Sequence, residues 1–354
     1  MDHRSIMSGQ RRDPLAYLLR GLLWLLQFPY WIVISFRNLA YDRGWYKTDR
    51  CDVCVISIGN LTTGGTGKTP LVRYTARLLR DNDHRVALVS RGYGSVDGAA
   101  NDEAMELAAT LPDVPHLQNP DRVASARIAV EELDSQVILM DDGFQHRRLH
   151  RDLDVLVIDA TCPLGFGHLL PRGLLREPVS SAKRAAAAVL TRSDAVDDAK
   201  RKTIRDSILR HSPDIVWAES VHRPTGLLQW PDAVLPLTRI EGQPVAIVCG
   251  IGNPDAFAKT VQAAGAIVVQ RIELADHDPY DQKTVTMIRQ RILECGDAIT
   301  HVVCTHKDLV KIQTDAIAGK PLLAIRIEIE FVSGQNAYDE LILRTHPKTE
   351  ENRG

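Results

Sequence analysis

Short apolar runs alternate with segments of helical spacing along most of this chain. Residues 53–58, 86–89, 136–140 (QVILM), 154–159 (DVLVID) and 185–190 have the length and apolar content of strands buried on both faces. Between them, the stretch from Thr69 puts Leu71, Val72, Ala76 and Leu79 on one helical face, and further helices are expected from Asp102, over 121–133 and over 197–211. Strand and helix patterns in alternation predict a parallel sheet covered by helices. Residues 212–243 interrupt this rhythm, because Pro213, Pro224, Pro231 and Pro236 divide them into short β-type pieces that suit a linker or ribbon. The alternation then resumes, with strands at 244–249, 267–272, 301–304 and 321–328, helices at 255–264 and 281–295, and a turn, THKD, at 305–308. The expected organisation is an N-terminal helix at 1–45, a larger α/β domain at 46–212, a linker at 213–243, a smaller α/β domain at 244–346 and a tail at 347–354.

The N-terminal pattern differs from the rest. Residues 14–40 carry no charge between Arg20 and Arg37, and Trp24, Phe28, Tyr30 and Trp31 lie in that gap. A membrane-spanning helix needs about 20 apolar residues, and this gap is shorter and contains Gln27 and Pro29. No small-residue cleavage site follows it, as a signal peptide would require. Aromatic residues flanked by arginines suit a helix lying in the headgroup region of a bilayer; a helix buried against the domain is the other reading.

Composition narrows the partners. The chain has 354 residues, 25% of them charged, and a formal net charge of -2, which argues against nucleic acid as the main partner. Of the six cysteines, Cys54, Cys249 and Cys304 fall inside apolar strand runs and read as buried thiols. Cys51-x-x-Cys54 has no second pair to complete a metal site.

Candidate chemistry gathers at strand ends. The first strand feeds a Gly- and Thr-rich turn that ends in Gly67-Lys68-Thr69 at a helix start. Such a loop presents backbone N–H groups and a helix dipole to the phosphates of a nucleotide, with the lysine on the β- and γ-phosphates and the Thr hydroxyl on Mg²⁺. The cradle comprises Thr62, Thr63, Gly64, Gly65, Thr66, Gly67, Lys68 and Thr69. Thr62 stands where the Walker pattern has its first glycine, so the loop is closer to the variant of the MinD and ParA ATPases, whose signature lysine is Thr63 here. The strand 136–140 runs into Asp141-Asp142-Gly143-Phe144-Gln145-His146, where a strand-end carboxylate can bind Mg²⁺ directly or through water. Asp102 and Glu103 open a helix and are either first-turn acids favoured by the helix dipole or catalytic carboxylates. Arg172 and Arg176 either clamp an anion or are solvated. His277, between two aspartates, is either a proton-transfer group or a surface loop residue.

Taken in order, GNLTTGGTGKTP, SRGYG, NDEA, DDGFQH, LLPRGLLREP, GIGNP, DHDPY and TxKD resemble the tetraacyldisaccharide 4′-kinase family of lipid A biosynthesis, over residues 14 to 330. The resemblance implies a P-loop NTPase-like α/β/α sandwich, a second, smaller Rossmann-like α/β/α domain and a membrane-docking N-terminal helix. It implies ATP and Mg²⁺ as cofactors and a lipid-linked disaccharide 1-phosphate as acceptor. It also implies a peripheral or monotopic place on the cytoplasmic face of the bacterial inner membrane, with no nucleic acid and no obligate protein partner. By motif, Lys68 falls on the phosphates, Thr69 on Mg²⁺, Asp102 on the catalytic aspartate, His277 on its histidine, and Asp141 and Asp142 on the strand-end pair. The metal would be held by Thr69 with Asp141 or Glu103. Asn101, Arg172 and His306 replace the usual Gly, Ala and Glu of three motifs. On the expected division Asp102 and His277 lie in different domains, which closure over ATP would bring together. The rival is a MinD/ParA-like membrane-associated partitioning ATPase, against which Thr63 speaks.

Overall fold

The computed structural model describes residues 3–92, 102–275 and 278–344. The chain forms two compact units. The described residues of 1–91, 113–221 and 330–354 make the first, and those of 92–112 and 222–329 the second.

The chain begins with α1 (His3–Ser8) and α2 (Pro14–Asp42). The Asp13 side chain caps α2 by accepting from the Ala16 N–H, and Pro14, with no N–H to lose, fills its first position. The helix runs 29 residues without a break at Pro29. By length and composition it is long enough to cross a membrane, so the expectation that Gln27 and Pro29 leave too short a stretch is corrected. Its buried residues are Ala16 and Ala40 alone, which removes the reading as a core helix. One side holds the first unit through polar groups. The Tyr30 hydroxyl donates to the Arg176 carbonyl at 2.9 Å, and the Asn38 amide donates to Glu177 at 2.8 Å. The other side is apolar and open: Leu18, Leu25, Val33 and Phe36 are 71%, 62%, 63% and 56% exposed.

The first unit continues with β1 (Cys54–Gly59), α3 (Lys68–Asp81) and β2 (Val86–Ser90). Then α4 (Asp102–Thr110), a member of the second unit, is followed by β3 (His116–Gln118), α5 (Arg122–Glu131), β4 (Val137–Asp141), β5 (Leu153–Asp159), β6 (Ala187–Thr191), α6 (Asp198–Leu209) and β7 (Val216–Gln229). The strands lie in the order β7-β6-β5-β1-β4-β2-β3, all parallel. Every residue of β1, β2, β4, β5 and β6 is buried, as expected of a sheet covered on both faces. After β1 the chain builds β2 and β3 on one side, returns to β4 beside β1, and then builds outward through β5 on the other side. The C-terminal ends of β1 and β4 therefore flank the point where the winding reverses, which is where open α/β sheets bind ligands.

The second unit adds β8 (Ala233–Leu235), β9 (Pro244–Cys249), α7 (Pro254–Ala263), β10 (Ile267–Glu273), α8 (Gln282–Cys295), β11 (His301–Thr305), α9 (His306–Ile312), β12 (Ala316–Ile317) and β13 (Lys320–Ser333). Here β10, β9, β11 and β13 are parallel in that order, while β8 and β12 are antiparallel additions on β7 and β13. The chain ends its described part in α10 (Gln335–Arg344), back in the first unit.

Four expectations are corrected. Residues 212–243 are not a series of short pieces, because β7 is a single strand of 14 residues that passes through Pro224. THKD is not a turn: Thr305 caps α9 and Asp308 reciprocates, a capping box that starts a helix directly after β11. The strand expected at 321–328 extends over 14 residues, and a short β3 and α10 were not foreseen. Finally, α4 does not group with the P-loop unit that precedes it in sequence. It buries Ala104 and Leu107 and packs along α9, with Glu106 4.0 Å from His306, so Asp102 belongs to the unit that holds β10 and α8.

Candidate active site

Two close backbone approaches build the site. A Cβ on Gly59 would fall 2.7 Å from the Phe144 nitrogen, and one on Gly143 would fall 2.6 Å from the Ser57 hydroxyl. Glycine at both positions lets the DDGF turn lie directly against the end of β1. The cradle 62–67 is then tied down from outside. The Thr63 N–H donates to the Leu174 carbonyl at 2.8 Å, and the Arg176 N–H donates to the Leu61 carbonyl at 2.7 Å. The Thr191 hydroxyl donates to the Thr66 carbonyl at 2.8 Å, and Arg192, paired with Asp159 at 2.5 Å, donates to the Gly65 carbonyl at 3.3 Å. Gly67 adopts the left-handed conformation (φ 81°) that starts α3, and no side chain caps it. The first-turn N–H groups of α3 are thus without the usual side-chain acceptor, the arrangement that binds phosphate.

One carboxylate collects the cations. Lys68 lies 3.3 Å from Asp142 and donates to the Asn60 amide oxygen at 3.4 Å. Arg176 forks onto both oxygens of Asp142, each at 2.9 Å, and also donates to the Asn60 carbonyl at 3.1 Å. Arg122, 5% exposed, donates to the Asp142 carbonyl at 3.1 Å, and the Gln145 amide donates to the Asn60 carbonyl at 3.0 Å. Burial alone would raise the Asp142 carboxyl, but Lys68, Arg176 and Arg122 together hold it well below the usual carboxylate range. Asp141, the last residue of β4, is 3% exposed. Burial and the Arg122 charge push His146 down to about 4, so it is neutral at pH 7. Three fixed cations against the two carboxylates of Asp141 and Asp142 leave a positive surplus, which suits a polyanion.

The residues present fit a nucleotide and a divalent cation. The uncapped α3 and Lys68 would hold phosphates, while the Thr69 hydroxyl and the Asp141 carboxylate would hold Mg²⁺, which takes few protein ligands and completes its shell with phosphate and water. No group of three or more His, Cys, Asp or Glu suited to a metal occurs among the described residues.

Comparison with known proteins places the chain in a family. Residues 19–346 match the family model described as tetraacyldisaccharide-1-P 4′-kinase. The chain belongs to that family. It is 36% identical over 357 residues to the tetraacyldisaccharide 4′-kinase of Anaeromyxobacter dehalogenans, covering 95% of this chain and 93% of that protein. It is equally 36% identical over 344 residues to the enzyme of that name from Geobacter sulfurreducens, covering 92% and 94%. The crystal structure of LpxK from Aquifex aeolicus in complex with ATP superposes with a TM-score of 0.74 at 29% identity, over 93% of this chain and 99% of that one.

The residues expected at the site can now be located. Lys68, Asp142 and Arg176 meet, with the cradle 62–67, Thr69 and Asp141 in the same unit. Arg172 does not join them; it donates to the Met7 carbonyl at the end of α1. Asp102 opens α4 in the second unit, and its side chain, that of Glu103 and all of His277 lie outside the described residues. Asn60, Arg122 and Gln145 were missed as site residues. Gln145 had a signal, since it sits within DDGFQH, but nothing local marks Arg122 among the other helix-opening residues.

Proposed function

We propose that this chain transfers the γ-phosphoryl group of ATP to the 4′-hydroxyl of a tetraacylated glucosamine disaccharide 1-phosphate, giving lipid IVA and ADP. The observation that carries the reading is the Lys68–Asp142–Arg176 cluster beside an uncapped phosphate-binding helix, in a chain that matches the 4′-kinase family over residues 19–346. Lys68 neutralises charge on the β- and γ-phosphates, and the N–H groups of the cradle orient them. Thr69 with Asp141 or Glu103 would hold Mg²⁺, which would supply further charge stabilisation when bound. Asp142 keeps Lys68 and Arg176 aligned until the polyanion arrives. Asp102 accepts the proton of the sugar hydroxyl, and His277 orients or charge-tunes it. The partitioning-ATPase reading is not favoured, because Thr63 stands where its signature lysine belongs and the family match spans the whole catalytic region.

The open apolar side of α2 supports docking on the cytoplasmic face of the inner membrane, where a lipid-linked acceptor resides. Its opposite side is engaged by polar contacts with the first unit, which favours lying on the bilayer over spanning it. The deciding experiment for the reaction is thin-layer separation of products after incubation with γ-labelled ATP and the disaccharide lipid. Label in the lipid that depends on Lys68 and Asp102 is expected. ATP turnover without labelled lipid would overturn the assignment.

A further inference from the structure

Arg172, a candidate anion clamp from the sequence, is left unused by the nucleotide site. It sits in a closed loop of the first unit, where the Gly173 N–H donates to the Leu169 carbonyl and the Leu170 N–H to the Leu175 carbonyl, each at 2.9 Å. Glycine at 173 lets the loop fold this tightly, since a Cβ there would collide with the His168 carbonyl. From this fixed base Arg172 donates to the Met7 carbonyl at 2.9 Å. Arg20, on α2, meets the same stretch of chain: it donates to the Arg11 carbonyl at 2.9 Å, and its Nη1 would lie 3.6 Å from a Cβ on Gly9. Both guanidinium groups are half-buried and rest on residues 7–11, at the end of α1 and the connection to α2. Each has five N–H donors and uses one of them on a carbonyl. Neither meets a carboxylate among the described residues, and Asp13, the acid nearest to Arg20 in sequence, is taken by Arg11 and by the cap of α2. Burial and then the Arg20 charge pull the Arg172 guanidinium below its ordinary value, and burial and then the Arg172 charge do the same to His168. The two arginines are thus a pair of cations without a counterion.

We propose that Arg20 and Arg172 hold the phosphate of an anionic membrane lipid at the flank of α2. The pair adjoins the open apolar side of that helix: the Arg20 guanidinium lies 4.5 Å from the centre of the Tyr17 ring, and Tyr17, Leu18 and Leu22 are 60%, 71% and 52% exposed. A helix lying in the plane of a bilayer brings its flanks to the depth of the lipid phosphates. Two guanidinium groups offer a phosphate paired donors and compensating charge, while no carboxylate among the described residues stands ready for the ammonium of a zwitterionic headgroup. The inference rests on the reading that α2 docks on a bilayer, and adds a headgroup preference to it. It gives Arg172 no part in phosphoryl transfer.

The test is flotation of the full chain, without nucleotide or acceptor, on vesicles of phosphatidylcholine alone and on vesicles that also contain phosphatidylglycerol. The parent should bind both, and bind the anionic vesicles about tenfold more tightly or better. Arg172→Ala should remove about tenfold on anionic vesicles and nothing on neutral ones. Arg172→Lys should lose nearly as much, because an ammonium supplies the charge but cannot fork onto a phosphate while holding the Met7 carbonyl. Arg20→Gln should behave like Arg172→Ala, and it carries the test if Arg172→Ala does not fold. Full binding in Arg172→Lys would leave only general attraction to a charged surface and overturn the site. An equal loss on both kinds of vesicle would make Arg172 a strut between α1 and its loop, and overturn it as well. So would unchanged flotation with a raised KM for the acceptor in detergent, which would assign these arginines to the acceptor's own phosphate. A parent that floats with neither vesicle removes the docking reading, and this inference with it, whereas one that floats equally with both removes this inference alone.

Discussion

Asp142 is the residue on which the nucleotide site balances. Its carboxylate is kept ionised by Lys68, Arg176 and Arg122, the last of which also feels the Asp141 charge. Geometry matters as much as charge here, since the two Arg176 bonds form a planar fork that a lysine cannot reproduce. Arg176→Lys should therefore lower kcat/KM about ten- to a hundredfold with the overall charge unchanged, as measured in the labelled-ATP assay. Lys68→Ala should cost at least as much as Asp102→Ala, about a hundred- to a thousandfold in kcat, because phosphoryl transfer relies more on charge stabilisation than on proton removal. A milder Lys68 variant would point away from this mechanism. Two half-buried histidines weaken the fold in acid. Burial pushes His116 down to about 4 from an ordinary 6.5, and His146 behaves alike. Between those values the unfolded chain takes up protons that the folded chain refuses, so stability falls as pH drops through that window. Urea midpoints measured at pH 7 and pH 5 should show the decline, and His116→Gln should make it shallower. At this scale the sequence marks residues whose role is local, such as Lys68 at a glycine loop. It does not mark Arg122, whose role depends on how α5 meets the DDGF turn.

Elements were legible where one physical signal decides them. The central strands are buried on both faces, so continuous apolar runs identify them, and the uncapped glycine start of α3 is written in Gly67-Lys68-Thr69. The three-residue β3 is only half-buried and has no run to detect. The helix α2 shows how one element carries two surfaces. Its apolar side is open, while its polar side is joined to a buried ion pair beneath: Glu177, 0% exposed, is held by Arg184 at 2.9 Å as well as by Asn38. Arg184→Ala leaves that carboxylate without its cation and should destabilise the first unit by about 3–5 kcal/mol, read from chemical denaturation. The open side is tested without touching those contacts. Replacing Leu18, Leu25 and Val33 by Glu should abolish flotation with liposomes while leaving kcat on a detergent-dispersed acceptor within about twofold. Unchanged flotation would show that α2 is not the docking surface.

At the scale of the whole molecule, sequence order is a poor guide to the units, because each is assembled from separated segments. The chain leaves the first unit for α4, returns for β3 to β7, leaves again, and comes back with α10. Local patterning cannot reveal that α4 packs on α9 some 200 positions later, nor that α10 belongs to α3; both are decided by tertiary burial. The return of α10 bears directly on the nucleotide site. Tyr338 is fully buried, and its hydroxyl lies 2.7 Å from that of Thr75 on α3, the helix that begins at Lys68. The Tyr74 hydroxyl donates to the Asp339 carboxylate at 2.9 Å, and its ring packs at a tilt of 60° against Phe331, 5.0 Å between ring centres. A fragment cut at residue 212 on sequence grounds would lose this cover and expose one flank of the phosphate-binding helix. The prediction is that Tyr338→Ala, far along the chain from every P-loop residue, destabilises the first unit by about 3–5 kcal/mol, as for other large buried aromatics. If α10 braces α3 at its phosphate end, the same variant also raises the KM for ATP at temperatures below its unfolding transition. If it only completes the core, denaturation shifts and KM does not, so thermal unfolding and initial rates measured on one preparation separate the two roles.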